Sequence, residues 1–248
     1  QVFLTIRRVD GNILEIPIIR DVVELEETYA KSTLIKDTTG VYGLIELPKF
    51  YINFEDYNKR NAATDVKKEL EQLKQRKVKG IILDLRNNGG GSLKTVVDMT
   101  GYFIDQGPVV QVKSTGGRKE VLKDKDPSIV WDGPVVVLVN EFSASASEIV
   151  AGALQDHKRG ILMGTATFGK GSVQTIIPVS SRGAIRLTTA RYFTPSGKSI
   201  QAKGIDPDIY VPQSKLEVIE NNKSRKEANL RGHLDAEKSS DANTNKSN

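Results

Sequence analysis

Two groups of residues in this chain have types and spacings that could do chemistry. Ser143, Ser145 and Ser147 alternate with alanine, where the apolar run Pro134–Val139 gives way to a helical pattern. Lys170 stands between Gly169 and Gly171, and Gln174 follows four residues later. A serine hydroxyl becomes a nucleophile when a neutral amine can take its proton, and burial favours the neutral amine of a lysine. Phe168 and Val173 are the apolar residues placed to cover Lys170. On a strand, Lys170 and Gln174 differ by an even number and share a face, so Gln174 could orient the amine. The plainer reading is a glycine-flanked turn lysine in water.

Among the serines, Ser143 and Ser147 suit close packing and capping at a strand-to-helix junction. Ser145 differs because it is bracketed by alanines at the start of the helix. There the unpaired backbone N–H groups of the first turn could hold an oxyanion. The Gly89-Gly90-Gly91 run could supply another N–H from a neighbouring strand end.

Rival chemistries are weaker. His157 lies 12 residues after Ser145 on the same helical pattern. That is about 18 Å along the axis and about 120° around it, out of reach as a base. His233 falls in a polar tail, and both histidines read as surface residues. Gly164 to Lys170 matches a phosphate-binding loop up to the lysine, but Gly171 replaces the hydroxyl residue and a β-type segment replaces the helix. The glycine loop alone would also suit an acyl-CoA enzyme of the crotonase type.

These residues need elements to position them. Residues 2–8 and 13–19 read as strands joined by an Asp10-Gly11 turn, with another strand-like patch at Asp21–Leu25. Val41–Leu47 is an apolar strand ended by Pro48, and residues 49–61 form an aromatic, irregular stretch with Phe50, Tyr51, Phe54 and Tyr57. A helix follows from a Thr64 cap, with Val66, Leu70 and Leu73 on one face. The run IILDL, residues 81–85, has the continuous apolar character of a strand buried on both faces. Ser92 caps a helix bearing Leu93, Val96, Val97 and Phe103. A strand at 108–112, a polar excursion at 114–133, the strand 134–139 and a helix over about 145–157 complete the middle of the chain. Strands at 161–164, 173–179 and 184–189 follow, then a turn-rich stretch at 192–212. The alternation predicts an α/β core with a largely parallel sheet, whose ligands gather at the strands' carboxyl ends. The glycine and serine loops both fall at such ends.

Composition narrows the field. The 248 residues carry a net charge of +5 that is scattered rather than clustered, which argues against nucleic acid as a partner. With no cysteine and two histidines, neither a thiol mechanism nor a typical metal site is expected, and no cofactor is implied. No apolar run approaches the ~20 residues of a membrane span. Beyond Pro212 the chain turns polar, only Leu216, Val218 and Ile219 could pack, and disorder is expected from about Ser239.

Taken together, four stretches resemble the carboxyl-terminal processing peptidases, also called tail-specific proteases. They are LDLRNNGGG (Leu83–Gly91), SASASEI (Ser143–Ile149), FGKG (Phe168–Gly171) with Gln174 four residues after the lysine, and RLTTARYFTPSGKSIQAKGIDPDI (Arg186–Ile209). The resemblance covers most of residues 1–212. It implies a serine endopeptidase with a Ser-Lys dyad, cleaving proteins at or near their C-termini, on a crotonase/Clp protease-like α/β core. By position, Ser145 is then the nucleophile, Lys170 the general base and Gln174 the residue orienting it. The oxyanion donors would be the Ala146 N–H and that of either Gly90 or Gly91.

The family normally carries a PDZ domain before its core, and here only Val2–Arg8 resembles that domain's last strand. The expected organisation is therefore a PDZ remnant at 1–9, a catalytic core at 10–212 and a polar, partly disordered tail at 213–248. PKFYINF and RNNGGGSL lean towards the tail-specific branch, whereas RYFTPSGKSIQAKGIDPDI and EANLRGHLDAE lean towards the smaller processing peptidases. The resemblance further implies protein or peptide substrates with exposed apolar C-termini, a homo-oligomer, and a place in the bacterial envelope, in the periplasm. A latent or non-catalytic peptide-binding core is the alternative.

Overall fold

The computed structural model describes residues 1–19, 26–53, 56–57, 59–180 and 183–212. The strand-like patch at Asp21–Leu25, Phe54, His233 and the polar tail lie outside the described residues.

The centre is a six-stranded sheet. Its strands are β3 (Lys31–Asp37), β4 (Gly40–Glu46), β5 (Ile81–Asp84), β8 (Val135–Val139), β9 (Ile161–Gly164) and β12 (Ile209–Tyr210), in the order β12-β9-β8-β5-β4-β3. From β4 to β12 every neighbouring pair is parallel, and only the β3–β4 hairpin is antiparallel. The apolar runs of β5 and β8 explain their central places, since Ile81, Leu83, Val135, Val137 and Val139 are all buried.

Three helices lie in the crossovers from β4 to β5, β5 to β8 and β8 to β9: α1 (Ala62–Gln75), α2 (Leu93–Gly101) and α3 (Ala146–Asp156). Helix α1 starts earlier than its expected Thr64 cap. Asn61 is the cap: its side chain accepts the Thr64 N–H, while Thr64 Oγ1 accepts the Asn61 N–H. Thr64 thus closes the capping box from its third position, and Val66, Leu70 and Leu73 face the core as expected. Ser92 caps α2, accepting the Thr95 N–H at 3.3 Å. That helix ends at Gly101, so Phe103 is buried beyond it rather than on it. Helix α3 is buried from Ala146 through Leu154. Its small residues allow this: a Cβ on Gly152 would lie 2.9 Å from Thr194 Cγ2.

A second, antiparallel sheet runs β10-β11-β6-β7, with β6 at Gly107–Ser114, β7 at Lys119–Asp124, β10 at Ser172–Ser180 and β11 at Gly183–Phe193. Strand β7 falls inside the expected polar excursion. KEVLKD buries only Val121, Leu122 and Asp124 in part, which is why its apolar signal is weak. Near the amino end, β1 (Val2–Arg7) and β2 (Ile13–Ile18) pair antiparallel as a separate hairpin. The expected boundary after residue 9 falls within its turn.

Candidate active site

The carboxyl ends of the neighbouring strands β5 and β8 deliver two loops side by side. Asn87, at φ 62°, donates its N–H to Asn140 Oδ1, and Asn140 Nδ2 returns a bond to Asn87 Oδ1, both at 2.9 Å. The carbonyl of buried Asn88 accepts the Ala144 N–H at 3.0 Å and the Ser147 hydroxyl at 2.8 Å. The Ser143 hydroxyl donates to the Leu85 carbonyl at 2.8 Å. Two of the three alternating serines therefore staple the glycine loop to the serine loop.

Ser145 stands between them with a backbone at φ 56° and ψ −107°, a conformation that L residues seldom adopt. A serine on such a strand-to-helix turn has its hydroxyl thrust out of the backbone, as on a nucleophile elbow. Its N–H is held by the Glu148 carboxylate, and the residue is half-buried. The turn also brings the chain hard against the glycine loop. A Cβ on Gly90 would lie 2.9 Å from Ser145 Cβ and 3.0 Å from the Ala146 nitrogen.

Gly90 and Gly91 are not equivalent. The Gly90 N–H is engaged by Asn88 Oδ1 at 2.9 Å, and the Gly90 carbonyl accepts the Phe50 N–H at 3.1 Å. In a trans peptide the carbonyl and the following N–H point opposite ways. The Gly91 N–H therefore points away from Phe50, and among the described residues no hydrogen bond engages it. Gly91 itself leaves no room for a side chain, because a Cβ would lie 2.1 Å from the Phe50 carbonyl oxygen.

Lys170 reaches this place through its backbone. Glu148, three residues into α3 and fully buried, accepts the Ser145 N–H and the Lys170 N–H on one oxygen, each at 2.8 Å. Its other oxygen accepts the Gly169 N–H at 2.6 Å and the Thr167 hydroxyl at 2.7 Å. The nitrogens of Ser145 and Lys170 can thus be no further apart than twice the shared 2.8 Å. The Phe168 N–H adds a bond to the Ser143 carbonyl at 3.0 Å. On the far side, residues 200–205 cradle the segment. The Ala202 N–H donates to the Gly169 carbonyl, the Ile205 N–H to Thr167 Oγ1, and the Gly171 N–H to Gln201 Oε1. A Cβ on Gly171 would lie 2.4 Å from the Gln201 nitrogen, so the second glycine of FGKG is set by this contact.

The side chains differ from expectation. Lys170 is exposed, and so is Phe168 at 64%, so Phe168 gives the amine no apolar cover. Lys170 precedes β10 rather than lying on it, and the β10–β11 register shifts between Val173 and Gln174. The even-number rule for Lys170 and Gln174 therefore fails, and the Gln174 side chain is exposed. No hydrogen bond joins Ser145 Oγ to Lys170 Nζ, nor Lys170 to Gln174, among the described residues. His157 caps the far end of α3, half-buried rather than on the surface, with Nε2 2.8 Å from the Pro108 carbonyl oxygen. Strand β10 follows the lysine where a phosphate loop needs a helix.

The family model described as "Peptidase family S41" matches residues 42–211. The chain belongs to peptidase family S41. Over 233 residues it is 41% identical to a carboxy-terminal-processing protease of Bartonella bacilliformis, covering 92% of this chain and 51% of that protein. A tail-specific protease of Haemophilus influenzae is 39% identical, over 80% of this chain and 28% of its own length. Among solved structures, a photosystem II D1 C-terminal processing protease superposes with a TM-score of 0.66 at 30% identity, covering 82% of this chain and 52% of that one. The chain spans about half or less of the length of these relatives. Its α/β core with a mostly parallel central sheet is the S41 protease fold.

Within this S41 core, four residues hold the site together that their sequence context left unassigned. They are Glu148, Thr167, Asn88 and Asn140. Glu148 had a legible signal, since a serine followed three residues later by glutamate at a helix start is a capping-box pattern.

Proposed function

We propose that this S41 core is a serine endopeptidase in which Ser145 attacks a peptide carbonyl and Lys170 accepts its proton. The observation that carries the reading is the outward turn of Ser145 at φ 56°, with Lys170 anchored to the same carboxyl oxygen as the nucleophile's own N–H. As the hydroxyl oxygen bonds to the carbonyl carbon, its proton passes to the Lys170 amine. The carbonyl oxygen gathers charge beside the N–H groups of Ala146 and Gly91. Gly91 is preferred over Gly90 because the Gly90 N–H is already bonded to Asn88. The protonated lysine then gives its proton to the departing amine. Water, activated by the lysine, hydrolyses the ester so formed. Gln174 joins the dyad when its side chain turns to the amine. That role rests on the resemblance of FGKG and Gln174 to the family's pattern, not on a shared strand face.

The substrates in this reading are proteins cut at or near their C-termini, as the names of the Bartonella and Haemophilus relatives suggest, and we propose that those termini are exposed and apolar. We place the enzyme in the bacterial envelope, in the periplasm, and expect it to self-associate. Among the described residues no helix is long and apolar enough to cross a membrane. For the organisation of the chain we retain a PDZ-like strand at the start, the catalytic core to residue 212 and a polar tail.

Cleavage of an unstructured polypeptide with an apolar C-terminus tests the reading. Ser145→Ala and Lys170→Ala should each reduce kcat/KM to background. Full activity in either variant would defeat the assignment. The exposure of Lys170 favours one second reading, a latent core whose lysine closes on Ser145 only when substrate is bound. Labelling of Ser145 by a fluorophosphonate, accelerated by a non-cleavable apolar C-terminal peptide, would mark that form.

A further inference from the structure

We infer that Glu148 is a positioning residue that makes the nucleophile turn and the lysine loop one rigid unit, with Thr167 as its second anchor. Its catalytic consequence rests on the peptidase reading above, whereas the clamp itself rests on geometry alone.

Glu148 is fully buried, and a buried carboxyl group is stable only where its oxygens are met by donors. Here both oxygens accept two bonds each. The four donors come from two separate stretches of chain. Ser145 lies on the turn into α3, and Thr167, Gly169 and Lys170 lie after β9. No other described side chain bonds both stretches at the residues proposed for the dyad. The direction of each bond is fixed. Three donors are backbone N–H groups, and the fourth is settled by Ile205, whose N–H donates to Thr167 Oγ1 at 2.8 Å. That bond leaves the Thr167 proton to point at Glu148, so the clamp extends to the 200–205 loop. The clamp also acts on the strained backbone, because the Ser145 N–H bond to Glu148 opposes relaxation from φ 56°.

A carboxylate is the group this place needs. Glutamine would present an NH₂ to two donors whichever way its amide turned. Aspartate is one methylene too short to reach from α3 to both stretches.

The test uses the full chain, with ¹⁵N labelling for amide exchange and a fluorogenic unstructured polypeptide for kinetics. In the unaltered chain the amides of Ser145, Gly169 and Lys170 should be protected, and Glu148→Gln should speed their exchange at least about tenfold. The same variant should lower kcat about 10²-fold while KM moves less than about threefold, as misplacement of reacting groups does. Glu148→Asp should fail to restore either property. Thr167→Val should give a smaller loss of kcat, Thr167→Ser should recover it, and the Glu148→Gln/Thr167→Val pair should be no worse than Glu148→Gln alone. If Glu148→Gln does not fold, the two Thr167 variants carry the comparison. Unchanged exchange at the three amides, or faster exchange with unchanged kcat, overturns the inference. Absence of any Ser145-dependent cleavage in the unaltered chain would instead defeat the peptidase reading, and exchange alone would then uphold or overturn the clamp.

Discussion

Asn87 and Asn140 bond reciprocally, backbone N–H to side-chain oxygen and side-chain amide to side-chain oxygen, each at 2.9 Å across the ends of β5 and β8. Asn140 Oδ1 also accepts the Phe142 N–H at 3.2 Å. Asn140→Ala removes this acceptor oxygen and the amide donor from a site only 9% exposed. It should lower stability by about 1–3 kcal/mol, read as a fall in the urea midpoint at unchanged slope. Activity should fall with it, because the pair registers the glycine loop against Ser145.

The glycines of the site separate by contact. Gly89 has open space where a Cβ would go, so Gly89→Ala should leave melting temperature and cleavage nearly unchanged. Gly91→Ala and Gly171→Ala each drive a Cβ into backbone atoms, at 2.1 Å and 2.4 Å. Both should lower kcat at least about 10²-fold by pushing the loops apart, with thermal melts confirming a folded chain.

Strain at Ser145 predicts a gain from a loss. Ser145→Gly relieves the φ of 56° and should raise stability by about 1 kcal/mol while abolishing cleavage. Ser145→Ala keeps the Cβ and should show no such gain. Denaturant melts of the two variants side by side check this.

Asp124 supplies a pH dependence far from the site. Its Oδ2 is buried without a hydrogen-bond partner, and burial holds its carboxyl above the usual carboxylate range, against the bond from the Asp126 N–H. A folded-state pKa above the unfolded value means that the fold favours the protonated acid. The stability from Asp124 is therefore full below the unfolded value of 3.8 and is lost as pH rises through the higher folded value. Asp124→Asn should raise stability at pH 7 and give little change below pH 3.8, as urea titrations at several pH values would show.

The strands and helices were legible wherever burial imposed a period. The runs of β5 and β8 and the Val66–Leu70–Leu73 stripe reported themselves through apolar spacing. Strand β7 did not, because its lysines and glutamate face water, and Asp124 adds a polar residue to the partly buried Val121 and Leu122. The place of Ser145 was readable from its alanines, but its positive φ was not, since a serine in a turn carries no sign of strain. The spacing of Lys170 and Gln174 misled for a local reason: one register shift after Val173 removes the parity on which the face rule depends. The capping-box spacing of Ser145 and Glu148 was legible, but it did not show that the same carboxylate also holds Thr167, Gly169 and Lys170 from after β9.

The bond from the Phe50 N–H to the Gly90 carbonyl has a meaning beyond loop attachment. It sets the polarity of a single peptide plane. Both flanking glycines have positive φ, at 103° and 150°, so rotation of that plane meets little side-chain resistance. Turned over, the Gly90–Gly91 peptide would present a carbonyl oxygen where it now presents an N–H, and in the proposed reaction a developing oxyanion would be repelled instead of held. Phe50 lies between β4 and α1, so loss of its one bond to Gly90 would free the proposed site to invert its electrostatic sign without moving Ser145 or Lys170.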